Sequence, residues 1–369
     1  MKRLIFILLI SLTTGSFAQK LSFSNQIVNS TDENIIAIRE QWKLFLKDCM
    51  MTYITKDEKS LNKYWSESDV ETKYSTIVMY QLSDKLPVPF WGELVTYDIT
   101  KLDNEYYRLK TIILSSDSIS KGITANFTLF AEVSDSKVKF VSYLQKKEYE
   151  LNTYSTSNIK YLYPDGFSFN KKEAHKAEKL YSQLLSDFDV DATNKITYIV
   201  SNEIDDANKL IGFDYSVRSS TSKDAGYYIQ KSNTLFSCQV AHLHELVHVV
   251  LQSKYPNAPQ LFHEGIATYF GGNFGKEYQS HLKMLNEIAD NQKNSDFSNF
   301  EEWHKHIDNK TNPFYTIGAI FIDYAYKTGG QEKVEALFKS EEGINDTLKN
   351  ELQIENVDAF IKDYLTKNG

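Results

Sequence analysis

An α+β fold in two parts is predicted from three features of the apolar pattern. A helical stripe (Ile35, Ile38, Trp42, Phe45 and Cys49) stands near the start of the chain. Four segments with period-two alternation or β-branched and aromatic residues follow it. From Cys238 to the end almost every segment has helical spacing. At 369 residues the chain has room for two modest domains, each with its own core. Its 41% hydrophobic and 24% charged content is ordinary for a globular protein, and six prolines argue against disordered linkers.

Residues 1–18 have the organisation of a secretory signal. Lys2 and Arg3 form a charged start, Leu4 to Ile10 an apolar run, and Ser16-Phe17-Ala18 places small residues where a signal peptidase reads. The uncharged stretch to Ala18 is shorter than the roughly 20 apolar residues a spanning helix needs, so cleavage after Ala18 is expected, with an uncleaved anchor as the alternative. No later segment is apolar enough to span a membrane, and the mature chain is expected to be exported, either periplasmic or secreted. Losing Lys2 and Arg3 moves the formal charge from -8 to -10. A mildly acidic chain without a basic stripe argues against nucleic-acid partners. Two cysteines, Cys49 and Cys238, are no disulfide framework; two thiols are favoured over a single bridge.

The expected N-terminal domain covers residues 19–150. After the first helix comes a short helical patch at Leu61 to Trp65. The strands are then Glu93 to Leu102, Tyr106 to Leu114, Ala125 to Val133 and Lys137 to Tyr143. Helices followed by an antiparallel meander resemble nuclear transport factor 2-like domains, a resemblance of element order without a motif. The second domain is expected over 160–369. Asn170 with Glu173 forms a helix start of capping-box type, and Ala174, Ala177, Tyr181 and Leu184 supply a buried stripe. Ile196 to Val200, Tyr227 to Ile229 and Thr234 to Phe236 are predicted strands.

The chemistry is concentrated in His244-Glu245-Leu246-Val247-His248. Histidines four apart on a helix share a face and can bind one metal ion, and the carboxylate beside the first can act on water at that metal. Leu243, Leu246, Val247, Val250 and Leu251 form an adjoining apolar stripe, so the helix can bury one side and offer ligands beside it. The blander reading is a pair of polar helix residues.

Sixteen residues after His248 stands His263-Glu264-Gly265-Ile266-Ala267-Thr268-Tyr269. With the first motif, it resembles the glutamate-zincin peptidases, and more closely their exported peptidase MA-like relatives. The resemblance covers about residues 160–330 and is specific at these two motifs. In that group a second helix carries Asn-Glu-Gly-x-Ala-x-Tyr, whose Glu is the third zinc ligand. The resemblance therefore implies one Zn²⁺ held by His244, His248 and Glu264, with a fourth position for water. It implies that Gly265 and Ala267 let this helix pack closely on the first, and that Gly271-Gly272 ends it. Zinc lowers the pKa of bound water to about 7. Glu245 would take the proton and pass it to the leaving amine. Asn312-Pro313 looks like a helix cap that puts Tyr315 in the first turn, and Tyr315 is the candidate donor to the oxyanion, with simple packing as the alternative. The implied activity is peptide-bond hydrolysis on a peptide or protein substrate, expected within chains because the free-amino-terminus reader of aminopeptidases is absent.

The departures matter. His263 replaces the Asn; it could contact substrate, donate behind the ligands, or be exposed. Thr268 stands where thermolysin-type sites have an Asp that orients a ligand histidine. His242 is expected to point away from the metal, and His175, His281, His304 and His306 to lie on the surface. The resemblance also implies a strand that pairs with the substrate backbone; either Tyr227–Ile229 or Thr234–Phe236 could serve, and either could equally be an ordinary sheet strand. The departures keep open a second reading: a catalytically weak or inactive zinc-containing binding protein of the cell envelope.

Overall fold

A computed structural model describes the chain except residues 1–20, 56–57, 83–91, 116–121, 136, 192–194, 218–222, 292–295 and 306–311. The expected signal segment 1–18 and His306 therefore lie outside the described residues. The fold is α+β with two small sheets and a mainly helical C-terminal half. The chain divides into two compact units.

The first unit contains the described parts of Met1–Asn152, Leu162–Asp165 and Ser201–Ser222. It opens with β1 (Leu21–Phe23), α1 (Asn25–Val28) and the long α2 (Glu33–Thr55). A 3₁₀ helix follows at Glu58–Tyr64, overlapping the helical patch expected at Leu61 to Trp65, and then α3 (Glu67–Thr72) and α4 (Tyr74–Tyr80). The meander is β2 (Gly92–Lys101), β3 (Tyr106–Ser115), β4 (Ile123–Ser134) and β5 (Lys137–Val141), antiparallel throughout, and α5 (Tyr143–Lys147) follows it. Strict alternation along β3 buries Tyr107, Leu109, Thr111 and Ile113 on one face. Helix α2 lies over that sheet: Trp42 is edge-on to Phe140 at 5.3 Å and donates its indole N–H to Thr96 Oγ1 at 3.1 Å. Phe45 packs on Phe140 and Trp65 beside it.

The chain next forms β6 (Asn152–Ser155), β7 (Ile159–Tyr163), α6 (Lys171–Asp187) and β8 (Ile196–Val200). Asn170 caps α6 by accepting from the N–H groups of Lys172 and Glu173, and the helix buries the four residues that its spacing predicts. A return through α7 (Ile204–Leu210) and β9 (Phe213–Ser216) adds β9 to the first sheet, antiparallel to β4. At the other edge of that sheet β1 pairs parallel to β2. Neither pairing shows in local sequence pattern.

The second unit contains Thr153–Tyr161, Gly166–Val200 and Lys223–Gly369. Its sheet has the order β10-β11-β8-β7-β6, with β10 (Gly226–Ile229) antiparallel to β11 (Thr234–Ser237) and β11 parallel to β8. The rest is helical: α8 (Leu243–Lys254), α9 (Gln260–Gly271), α10 (Tyr278–Asn291), α11 (Phe300–Lys305), α12 (Pro313–Lys339), α13 (Ile344–Leu352) and α14 (Val357–Asn368). Gly330, at φ 65°, breaks α12 into two segments. Cys49 is buried and Cys238 half-buried, and the two form no disulfide. No helix among the described residues is long and apolar enough to cross a membrane.

Candidate metal centre

Helix α8 buries Leu246, Val247, Val250 and Leu251 against its unit and leaves Leu243 half-exposed at its first turn. His244 and His248, one turn apart, are both buried, and their Nε2 atoms lie 3.2 Å from each other. Helix α9 brings Glu264 to the same point. Its Oε2 is 3.2 Å from Nε2 of His244 and 3.5 Å from Nε2 of His248.

That triangle is unfavourable without a cation. Nδ1 of His244 donates to the carbonyl of Gly272 at 2.8 Å, which leaves a lone pair on Nε2. An imidazole lone pair then faces a second imidazole nitrogen and a carboxylate in a buried setting. The same spacing suits a small four-coordinate ion: bonds of about 2.0–2.1 Å at tetrahedral angles hold ligand atoms roughly 3.3 Å apart. Two imidazoles and a carboxylate are also a donor set such ions accept. His244, His248 and Glu264 can therefore hold a metal ion. Burial opposes charge on Glu264, but the adjoining imidazoles of His244 and His248, in their protonated forms, outweigh it and hold the carboxyl far below the usual range. For His248, burial works against the proton; the hydrogen bond and charge of Glu264 outweigh that and raise its pKa.

Two glycine contacts set this geometry. A Cβ on Gly271 would stand 2.3 Å from the backbone nitrogen of His244, so only glycine lets the end of α9 touch the start of α8. Gly265 has a different partner from the one expected. It faces α12, where a Cβ on Gly318 would stand 2.2 Å from the carbonyl oxygen of Leu261. The glycine pair thus brings α12 close to the ligand-bearing stretch of α9. Helix α9 ends as expected, at Gly271, with Gly272 (φ 70°) as its cap. Gly272 then offers its carbonyl to His244, in place of the carboxylate that Thr268 lacks. The ring nitrogen Nδ1 of His248 and the hydroxyl of Thr268 are buried and find no partner among the described residues.

Tyr315 stands where the Asn-Pro signal predicts. Asn312 caps α12 by accepting from the Tyr315 N–H, and Pro313 occupies the first turn. The Tyr315 ring stacks on His244 with centroids 5.8 Å apart and planes 15° from parallel. Burial raises its pKa, and the charge and hydrogen bond of Glu264 raise it further, so the phenol keeps its proton. Glu245 is half-exposed beside the triangle, and its carboxylate accepts no hydrogen bond from the described residues.

The remaining histidines divide differently from expectation. His263 is buried, not exposed; it donates from Nε2 to the carbonyl of Tyr255 at 2.9 Å and packs edge-on against Phe338. His281, expected on the surface, is 2% exposed and donates to the carbonyl of Asn273 at 2.7 Å. Asn273 and Lys276 exchange two backbone hydrogen bonds around Phe274 and Gly275, both at positive φ, which makes a type I′ turn directly after Gly272. His281 therefore anchors the turn that holds His244. No periodicity marks such a role, because its partner is a backbone carbonyl eight residues away. His242 lies outside the triangle, with its ring nitrogens at the carbonyl of Asp224 and the N–H of Glu245. His175 is exposed, and the side chain of His304 falls outside the described residues.

A cavity of about 560 Å³ lies beside His244, with Lys176, Asp224, His242, Gly272 and Lys276 among its lining residues. No protein-family model matches the chain, and no curated protein matches it.

Proposed function

We propose that this chain is an exported zinc metallopeptidase of the glutamate-zincin type that hydrolyses bonds within peptide chains. The observation that carries the reading is the triangle of His244 Nε2, His248 Nε2 and Glu264 Oε2, with sides of 3.2 to 3.5 Å, beside an unengaged Glu245. A purely structural site has no use for a free carboxylate at that point and fits poorly with three ligands. Zinc bound there would supply Lewis acidity, making water a nucleophile near neutral pH and polarising a carbonyl. Glu245 is the general base: it accepts the proton of the attacking water and delivers it to the amide nitrogen as the C–N bond breaks. Tyr315, protonated and stacked on His244, donates a hydrogen bond to the oxygen that gains charge as the carbonyl is attacked.

The substrate backbone would pair with β10. Of the two strands considered, β11 is flanked on both sides, whereas β10 ends the sheet. Among the described residues its outer edge has no strand partner, the arrangement that β-augmentation needs. Export rests on residues 1–18 alone.

The test combines metal analysis with cleavage of a mixed-peptide pool, with and without chelator. One equivalent of zinc, chelator-sensitive cuts within chains, and loss of cutting with zinc retained in Glu245→Gln are expected. Bound zinc without cuts would favour the binding protein, and cuts that survive in Glu245→Gln would refute the mechanism.

A further inference from the structure

His242 stands two residues before the first metal ligand and does two things at once. It is the N-cap of α8, where its Nδ1 accepts from the backbone N–H of Glu245 at 3.4 Å. Its Nε2 lies 3.0 Å from the carbonyl oxygen of Asp224, two residues before β10. Each partner has a single role, since an amide N–H can only donate and a carbonyl can only accept. The ring is therefore neutral, with its proton on Nε2. The backbone N–H of His242 donates to the hydroxyl of Tyr198 at 3.0 Å, and that hydroxyl donates to the carbonyl of Gln239 at 2.6 Å, so the cap residue is held from behind. In front of it, Gly226 opens β10 so near that a Cβ there would stand 2.9 Å from both Cγ of Glu245 and Cδ2 of His242.

We infer that His242 is a positioning residue that ties the helix carrying the general base to the strand that receives the substrate backbone. This rests on the peptidase reading above. One ring spans the gap between the backbone of Glu245 and the start of β10, and thereby sets how far the Glu245 carboxylate stands from a peptide paired on that edge. Few cap residues can do this. Asn, Asp and Ser cap as well or better, but their side chains are too short to reach a second element as well. Gly226 serves the same spacing from the other side.

The experiment uses His242→Asn in the full chain. Asparagine preserves the cap, so zinc affinity and melting temperature should stay at wild-type values. The bond to Asp224 is lost, so kcat/KM on a peptide of several residues should fall by about tenfold or more, in line with the cost of misplacing a reacting group by a fraction of an ångström. Amide exchange across Gly226–Ile229 should quicken in the same variant, a readout independent of hydrolysis. Gly226→Ala, whose added methyl would press on both His242 and Glu245, should lower kcat/KM by pushing β10 away. Wild-type kcat/KM and wild-type exchange in His242→Asn would overturn the inference. So would a loss of activity matched by an equal loss of zinc, which would mark a merely structural cap. If the wild-type chain cuts no peptide, the peptidase reading fails on its own, and the exchange measurement still decides the tether.

Discussion

Each unit buries a carboxylate, and the two are stabilised in opposite ways. Asp69 of the first unit is fully buried and accepts from the hydroxyl of Ser66 at 2.9 Å and the N–H of Ser142 at 3.1 Å. Among the described residues it has no ion-pair partner and its second oxygen accepts no hydrogen bond, and burial raises its pKa in spite of the bonds it does make. Glu264 of the second unit is nearly as buried, yet two imidazoles hold its carboxyl low. Asp69 joins a helix cap to the end of β5 as an ordinary polar clamp. Glu264 sits where acceptors crowd one another, an arrangement that only a proton or a metal ion makes favourable. Burial alone therefore does not mark a functional carboxylate; the company it keeps does.

The largest effect should come from Glu264→Gln, which removes the charge and one of three ligands. Zinc binding is worth on the order of 10–16 kcal/mol in zinc-finger peptides, so loss of one ligand of three should lower affinity by about 10³-fold or more in a chelator competition. An equivalent Asp69→Asn should leave zinc affinity unchanged. If both variants bind zinc alike, the contrast between the two carboxylates is wrong. Next in size is Tyr315→Phe, for which kcat should fall by about 10²-fold with zinc content intact. Full activity in that variant would reduce Tyr315 to a packing residue.

A smaller effect is expected at His281. His281→Leu frees the turn at Asn273 and so the carbonyl of Gly272 that orients His244. Zinc affinity should drop by about tenfold, and His281→Gln, which keeps a donor near Nε2, should restore most of it. Acid should act in the same direction. In the metal-free protein the His248 pKa is raised, so below it a proton competes for the ligand position. Zinc affinity should weaken as pH falls through that value, by about tenfold per unit for the one proton displaced. Calorimetry at several pH values reads this directly.

The smallest effect is the stability term at Asp69. A raised folded pKa favours the folded state below the unfolded value of about 3.9, and that benefit is lost as pH rises through the folded value. The stability of wild type relative to Asp69→Asn in urea should thus decline as pH rises from about 4. A difference that grew with pH would mean that the ionised form is the favoured one.

Much of this was legible in local pattern. Asn170 and Asn312 cap the helices they were expected to cap, and Tyr315 lands on His244 because Asn-Pro fixes where α12 starts. Local rules reach these features because cap and partner lie within one turn. What they miss is set by distant partners. β9 pairs with β4 some ninety residues earlier, and Gly265 meets Gly318 of α12, not the helix that its motif suggested. His281 and His263 looked like surface residues or open questions because a histidine bonded to a backbone carbonyl leaves no trace in spacing. Of the candidate centre, the three ligand positions could be named in advance, while the groups that hold them in place could not.

The most direct test of the metal centre is X-ray absorption at the zinc edge on the purified full chain. Two imidazoles and oxygen ligands at about 2.0–2.1 Å, with no sulfur, are predicted. A sulfur shell, or a chain that retains no zinc at neutral pH, would contradict the assignment of His244, His248 and Glu264.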